Sequence, residues 1–503
     1  MAKSRPCCDT KEHENVTEPG ISEIARRRVL AAGLGLSLPG IISAGPPAAS
    51  AVGSINARDF GAIGDGRNDD TKSLQAALDA AALRGGAVVI PAGVYRTRTL
   101  TIGSRVHLLG EGIEATILKL NDQTDDDLIR TRDFDRLTGT NSVGGPFNWS
   151  IRGLTLDGNR AKNTAGAGLR VYGWGYLLTD LRIRQCADAG IWSEWSTEDP
   201  VWSKNGTETP GDSMEAQVVN LKVHDCGKGG VILRGPHDSQ FTNCVIWNTT
   251  TYGFQFDRSP KYSAVGCQLV NCHVWGGHEY GYRIDAGFVT LVNCMAEWAK
   301  KAQVHVNHSD ATIVGGRYFG SPKAKHIGIE IGTAGESPIY GSSIDARMSD
   351  LHGGAFKFTN EGGSGQIRAL VYQRSGPAFV GRPSSNTRFE IQVNGLDEGS
   401  ENRIPRGSLS WNGGAAIVRH LSGTADWAPQ AITPGKAVWT EVPVKRAAVG
   451  DTVAVGFSKP LPPGLMLSGA VSAPGVVAVT LFNAGDTPFH AESGIVRADC
   501  WVH

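Results

Sequence analysis

Two short segments of this chain repeat one pattern 28 residues apart. "GFQFDRS" starts at Gly253 and "GYRIDAG" at Gly281, and each runs glycine, aromatic, polar, apolar, aspartate. The surrounding text repeats too: "VVNLKVHDCGKGGVILRG" from Val218, "FTNCVIWNTTTYGFQFDR" from Phe241, "LVNCHVWGGHEYGYRIDA" from Leu269, "LVNCMAEWAKKAQVHVNH" from Leu291. Asn220, Asn243, Asn271 and Asn293 mark the copies at spacings of 23, 28 and 22 residues. Weaker copies begin at Ile151, Leu178 and Ile313. A period of this length, with two short alternating strands per repeat and no fixed leucines, constrains the chain to a β-solenoid. Each coil then rises roughly 4.8 Å above the last.

Side chains alternate in and out along a strand. Val231 and Leu233, Phe254 and Phe256, Tyr282 and Ile284, Val304 and Val306, and Ile329 and Ile331 are expected inside. The alternate residues form outward columns. One is Tyr172, Glu194, Arg234, Asp257, Asp285, Asn307; its neighbour is Arg170, Trp192, Ile232, Gln255, Arg283, His305, Glu330. The aspartates recur because they occupy one column of one face.

Lys+Arg and Asp+Glu balance at 49 each, which gives no basis for binding nucleic acid or an anionic membrane. With 40% hydrophobic residues the chain is not disordered. Arg26, Arg27 and Arg28 precede an apolar run that ends near Ala49-Ser50-Ala51. This resembles a twin-arginine export signal over residues 1–51. The mature chain is then expected to start near Val52 and to work in the periplasm or outside the cell. Cys7 and Cys8 leave with the signal, and the interior ladder Cys244, Cys272, Cys294 reads as small hydrophobes. A disulfide within it, or between Cys186 and Cys226, stays open. No cysteine or histidine spacing suggests zinc.

Residues 55–97, "INARDFGAIGDGRNDDTKSLQAALDAAALRGGAVVIPAGVYRT", resemble the opening of the pectate-lyase-superfamily proteins. Glycoside hydrolase family 28 and phage tailspike depolymerases are among its relatives. The resemblance implies an all-β, right-handed single-stranded parallel β-helix. Asp70 is the expected N-cap of a capping helix whose apolar face is Leu74, Ala77, Leu78 and Ala81. The β-helix is expected over 52–424. Alternating strands and PG, GD and PP turns over 425–503 suggest a small C-terminal antiparallel β-sandwich. By resemblance that module serves trimer assembly, with carbohydrate contact as the rival reading.

Asp257 and Asp285, one coil apart on an exposed face, are the candidate catalytic carboxylates, with Glu194 a second choice of proton donor. Paired carboxylates at this spacing suit glycoside hydrolysis, and without an intervening cation they would repel. Arg258, Arg283, Arg234, His305, Trp192, Trp195 and Trp202 are the candidate substrate contacts. Trp195 and Trp202 lie in an insertion, residues 195–214. Trp247 and Trp275 share a column on the other sheet and read as a subunit contact. The expected function is an exported polysaccharide hydrolase without cofactor. The alternatives are a polysaccharide lyase, with Arg258 or Arg283 as base and Ca²⁺ held by Asp257 and Asp285, and a non-catalytic glycan-binding surface protein.

Overall fold

The computed structural model describes residues 54–138, 145–194, 215–258, 265–321, 324–336, 339–359, 365–372, 377–381, 383, 387–394 and 419–502. Residues 1–51, read above as an export signal, and the insertion with Trp195 and Trp202 lie outside the described residues. A parallel β-helix runs from Ile55 to Asn394. Its site-bearing sheet has eleven strands, from Leu100–Ile102 to Phe379–Gly381, one per coil. Each central coil holds three strands where the repeat suggested two: Gln240–Thr242, Val245–Trp247 and Tyr252–Phe256 make one coil.

The third strand appears because the first strand bends at a single residue. Gly153, Asp180, Asn220, Asn243, Asn271, Asn293 and Gly315 stack at that bend, all left-handed, with φ between 51° and 69°. Asn, Asp and Gly are the residues that enter this region at least cost. The asparagine repeat is therefore the signature of a corner. Asn293 Nδ2 donates to Asn271 Oδ1 at 2.9 Å, which ties one corner to the next.

The interior follows the alternation. Val231, Leu233, Phe254, Phe256, Tyr282, Ile284, Val304, Val306 and Ile329 are all fully buried. Cys186, Cys226, Cys244, Cys267, Cys272, Cys294 and Cys500 are buried free thiols, so neither candidate disulfide forms. The ladder thiols donate instead to main-chain carbonyls, as from Cys272 Sγ to Phe241 O at 3.6 Å.

The capping helix is Thr71–Arg84, with Leu74, Ala77, Leu78 and Ala81 buried. It closes the first coil by imitation. Gln75 Nε2 donates to Thr101 O at 3.1 Å, and Gln75 Oε1 accepts from Thr101 N at 2.8 Å. One side chain thus supplies the pairing that a further strand would give, and the edge is blunted. Asp70 occupies the N-cap position without capping the helix. Its carboxylate accepts from Ile63 N at 2.7 Å and Gly64 N at 3.1 Å, pinning the preceding loop.

The C-terminal module has two three-stranded antiparallel sheets. One orders Arg419–Trp427, Gly494–Val502, Thr452–Phe457; the other orders Ala437–Pro443, Val476–Asn483, Leu465–Ala473. Both contribute to one core that includes Trp427, Val479, Leu481, Val496 and Ala498. The sandwich is present, and its first strand starts upstream of residue 425.

Candidate functional site

The site lies on the outward face of the eleven-stranded sheet. Arg170, Trp192, Ile232, Gln255, Arg283, His305 and Glu330 pair in direct register through the consecutive strands. One step beyond the strand ends, Arg234 N bonds Ser193 O, Asp257 N bonds Leu233 O, Asp285 N bonds Phe256 O and Asn307 N bonds Ile284 O. Both columns therefore stack as the repeat required. Tyr172 is the exception on the first column. The short helix Phe134–Thr138 covers it, and it packs with Phe134 and Leu137.

The carboxylates are not left to repel each other. Arg234 Nε donates to Asp257 Oδ2 and Arg234 Nη1 to Glu194 Oε1, both at 3.0 Å. Arg283 Nε donates to Asp285 Oδ2 at 2.6 Å. Asp257 Oδ1 also accepts from Arg258 N at 2.9 Å. Asp285 Oδ1 accepts from Asn307 Nδ2 at 3.2 Å, and Gln255 Nε2 reaches Oδ2 at 3.4 Å. Each carboxylate is thus bound to an arginine, because the register sets a guanidinium beside each. Burial opposes the charge on Arg234, but Glu194 and Asp257 outweigh it and hold its pKa above the usual guanidinium value. Arg283 is raised in the same way, against burial, by Asp285.

Two tyrosines complete the face. Tyr252 and Tyr280 pair in register with ring centroids 6.4 Å apart. The Arg283 guanidinium lies 5.8 Å from the first ring and 5.3 Å from the second. Burial raises the Tyr252 phenol above its ordinary pKa, while Arg283 pulls the other way. The sequence reading passed over both residues, although each stands directly before the repeated glycine in "YGFQF" and "YGYRI".

Other candidates sit differently than expected. His305 is 4% exposed and its ring stacks on that of Tyr280 at 5.2 Å. Its Nε2 donates to Gly332 O at 3.1 Å, and burial lowers its pKa. The Trp192 ring is covered by cations: Lys228 Nζ at 4.1 Å, Arg170 at 4.9 Å and Arg234 at 5.7 Å from its centroid. Its Nε1 donates to Glu194 Oε1 at 2.5 Å. These contacts leave the ring little face for a sugar. Arg258 is exposed at the rim. On the other sheet, Trp247 and Trp275 stack on each other at 5.8 Å with an interplanar angle of 1°.

Farther along the same face is a cleft of about 520 Å³ lined by Asp125, Asp126, Asp127, Arg130, Phe134 and Arg170, among others. Asp127 is 1% exposed and bonds both Arg130 and Arg170 at 2.8 Å. Among the described residues, no three His, Cys, Asp or Glu side chains converge as a metal site. Each oxygen of Asp257 and Asp285 accepts from an N–H donor.

This architecture is that of a parallel β-helix protein. Residues 54–277 match the family described as Rhamnogalacturonase A/epimerase, pectate lyase-like. The chain is 34% identical over 213 residues to mannuronan C5-epimerase AlgE2 of Azotobacter vinelandii. It is 33% identical over 216 residues to alginate lyase 7 of the same organism. Each match covers 40% of this chain, but only 20% of the first relative and 23% of the second. A mutant tailspike protein of E. coli bacteriophage HK620, solved with a pentasaccharide, shares the fold at a TM-score of 0.53 and 14% identity, over 89% of this chain and 93% of that one.

Proposed function

We propose that this chain is a polysaccharide-modifying enzyme that acts on a uronic-acid polymer laid along the arginine-bearing face. In this reading it removes the proton α to the uronate carboxylate. The observation that carries it is the Arg283–Tyr252–Tyr280 cluster, beside aspartates whose oxygens each accept from an N–H donor. The mannuronan epimerases and the alginate lyase among its relatives support a uronate substrate.

The chemistry follows from those groups. The hydrogen on the uronate carbon next to the carboxylate is weakly acidic, and a cation on the carboxylate stabilises the charge that develops as the C–H bond breaks. Arg283 commits Nε to Asp285 and keeps its terminal nitrogens for this task. Arg234, fixed by two carboxylates, offers a second anchor. Tyr252, as its phenolate, takes the α-proton in this scheme. Its hydroxyl has no hydrogen-bond partner among the described residues, and its ring lies against Arg283. The electron pair from the broken C–H bond then has two fates. It expels the neighbouring glycosidic oxygen, which leaves with the proton from the Tyr252 phenol and gives an unsaturated end, or it takes a proton from solvent on the opposite side, giving the epimer.

Hydrolysis remains the second reading, favoured by the stacking of Asp257 and Asp285 in one column. It requires one carboxyl to deliver a proton, and the N–H donors on all four oxygens oppose that. The test is incubation of residues 52–503 with polymannuronate and alginate in D₂O. Deuterium at C5 without chain cleavage supports epimerisation. Ultraviolet absorbance of an unsaturated uronate supports elimination. New reducing ends with neither signal would overturn the proposal in favour of hydrolysis. Oligomeric state and export are carried forward as proposals too: a homotrimer outside the cytoplasm, to be read by light scattering and cell fractionation.

A further inference from the structure

Each coil re-enters its first strand through a turn with one left-handed residue. In five successive coils that residue is Asp238, Gly266, Phe288, Asp310 and Gly341, with φ of 59°, 59°, 59°, 63° and 72°. Asp and Gly tolerate this conformation, whereas a bulky aromatic there is an outlier. Phe288 is also 59% exposed and has no ring partner among the described residues. The fold requires nothing of its side chain at this position. Its neighbours show that Gly or Asp would serve, and Gly would relieve the backbone. An aromatic that is held at a conformational cost, and left in water, points to a use outside folding.

Its location indicates the use. Phe288 stands three residues beyond Asp285, on the turn that leaves the arginine-bearing strand Tyr280–Ile284. The same turn is fixed to the coil before it, where Val265 N donates to Gly287 O at 3.2 Å. The inner part of the site is charged and binds by hydrogen bonds, and its tyrosines are engaged with Arg283 and His305. Among the described residues the site offers no other free apolar surface for the C–H face of a sugar ring, and Phe288 supplies one at its rim. We infer that Phe288 is a substrate-contact residue that stacks on a pyranose ring one or more units away from the reacting sugar. This inference rests on the polysaccharide reading above.

The test compares wild type, Phe288→Gly and Phe288→Tyr on polymannuronate and on oligomannuronates of increasing length, with retention on a neutral and an acidic polysaccharide gel run in parallel. Phe288→Gly is expected to melt no lower than wild type. It should raise KM for long substrates roughly three- to ten-fold, the size of an aromatic contact, with kcat unchanged. Short oligomers should show no difference, and Phe288→Tyr should restore the wild-type KM. Unchanged KM on all lengths, with an active wild type, would overturn the inference and leave the uronate reading standing. A changed oligomeric state with unchanged KM would overturn it as well, making Phe288 a subunit contact. If wild type ignores mannuronates yet is retained on another polysaccharide in a Phe288-dependent way, the uronate reading falls and the contact stands. No retention of wild type on any polysaccharide would overturn both.

Discussion

Arg283 Nε lies 2.6 Å from Asp285 Oδ2, and the aspartate is only 6% exposed. A carboxylate so far from water needs its cation. Arg283→Met is therefore expected to cost about 3 kcal/mol of stability, the usual penalty for orphaning one member of a buried pair. Adding Asp285→Asn should recover much of that in urea denaturation while turnover stays lost. Recovery of both together would mean the pair serves only the fold.

Tyr252 and Asp257 separate the two chemical readings. If the phenol carries the proton, Tyr252→Phe should lower turnover by about 10²–10⁴, the range for a lost general acid or base. The melting temperature should not move, because the hydroxyl bonds nothing among the described residues. Asp257→Asn removes a carboxylate bound to Arg234, and it should raise KM more than it lowers kcat. The opposite ranking, with Asp257 essential and Tyr252 dispensable, would favour the hydrolase.

The corner residues give a stability test that is independent of function. Asn271 has φ of 54° and accepts a hydrogen bond from Asn293. Asn271→Ala should cost about 1–2 kcal/mol for the left-handed backbone, with the lost bond in addition. Asn271→Gly keeps the backbone free and should cost less. Chemical denaturation of the two variants reads the difference directly.

The contrast between what was legible and what was not has a physical origin. Alternation and period are properties of neighbouring residues, so the core positions and both outward columns could be read before any coordinates. The buried face of the capping helix was legible for the same reason. The three-stranded coil was missed because its extra corner depends on the sign of φ at Asn243 and its equivalents, which a column of asparagines hints at but does not state. Side-chain direction was equally out of reach. Column membership put Trp192 and His305 on the face. Only packing shows cations over the first ring and Tyr280 against the second. Asp70 sits at the right position with its oxygens turned the wrong way for a cap.

The buried thiols make a further prediction. Seven described cysteines are free, and burial or neighbouring thiols push Cys267, Cys272 and Cys294 far above the ordinary thiol pKa. The thiolate is the reactive form, so alkylation of folded protein should be negligible. Unfolding of residues 52–503 should expose all seven. Reductant should leave the melting temperature unchanged. A drop on adding reductant would mean that a disulfide forms after all.

His278 is expected to limit the stability of the fold in acid. Its ring is 0% exposed, and neither nitrogen has a hydrogen-bond partner among the described residues. Burial, helped by the charge of Lys300, lowers its pKa to about 4. In the unfolded chain the imidazole titrates near its ordinary value of about 6.5. Between those two values the unfolded state binds a proton that the folded state refuses. Stability is therefore full above about pH 6.5 and falls as the pH drops toward 4, by ~3 kcal/mol from this group alone. His278→Met keeps the length of the side chain without the titration. Its melting temperature should decline less than that of wild type between pH 7 and pH 4.5, values that bracket most of the window. Parallel decline in the two proteins would place the acid sensitivity elsewhere in the fold.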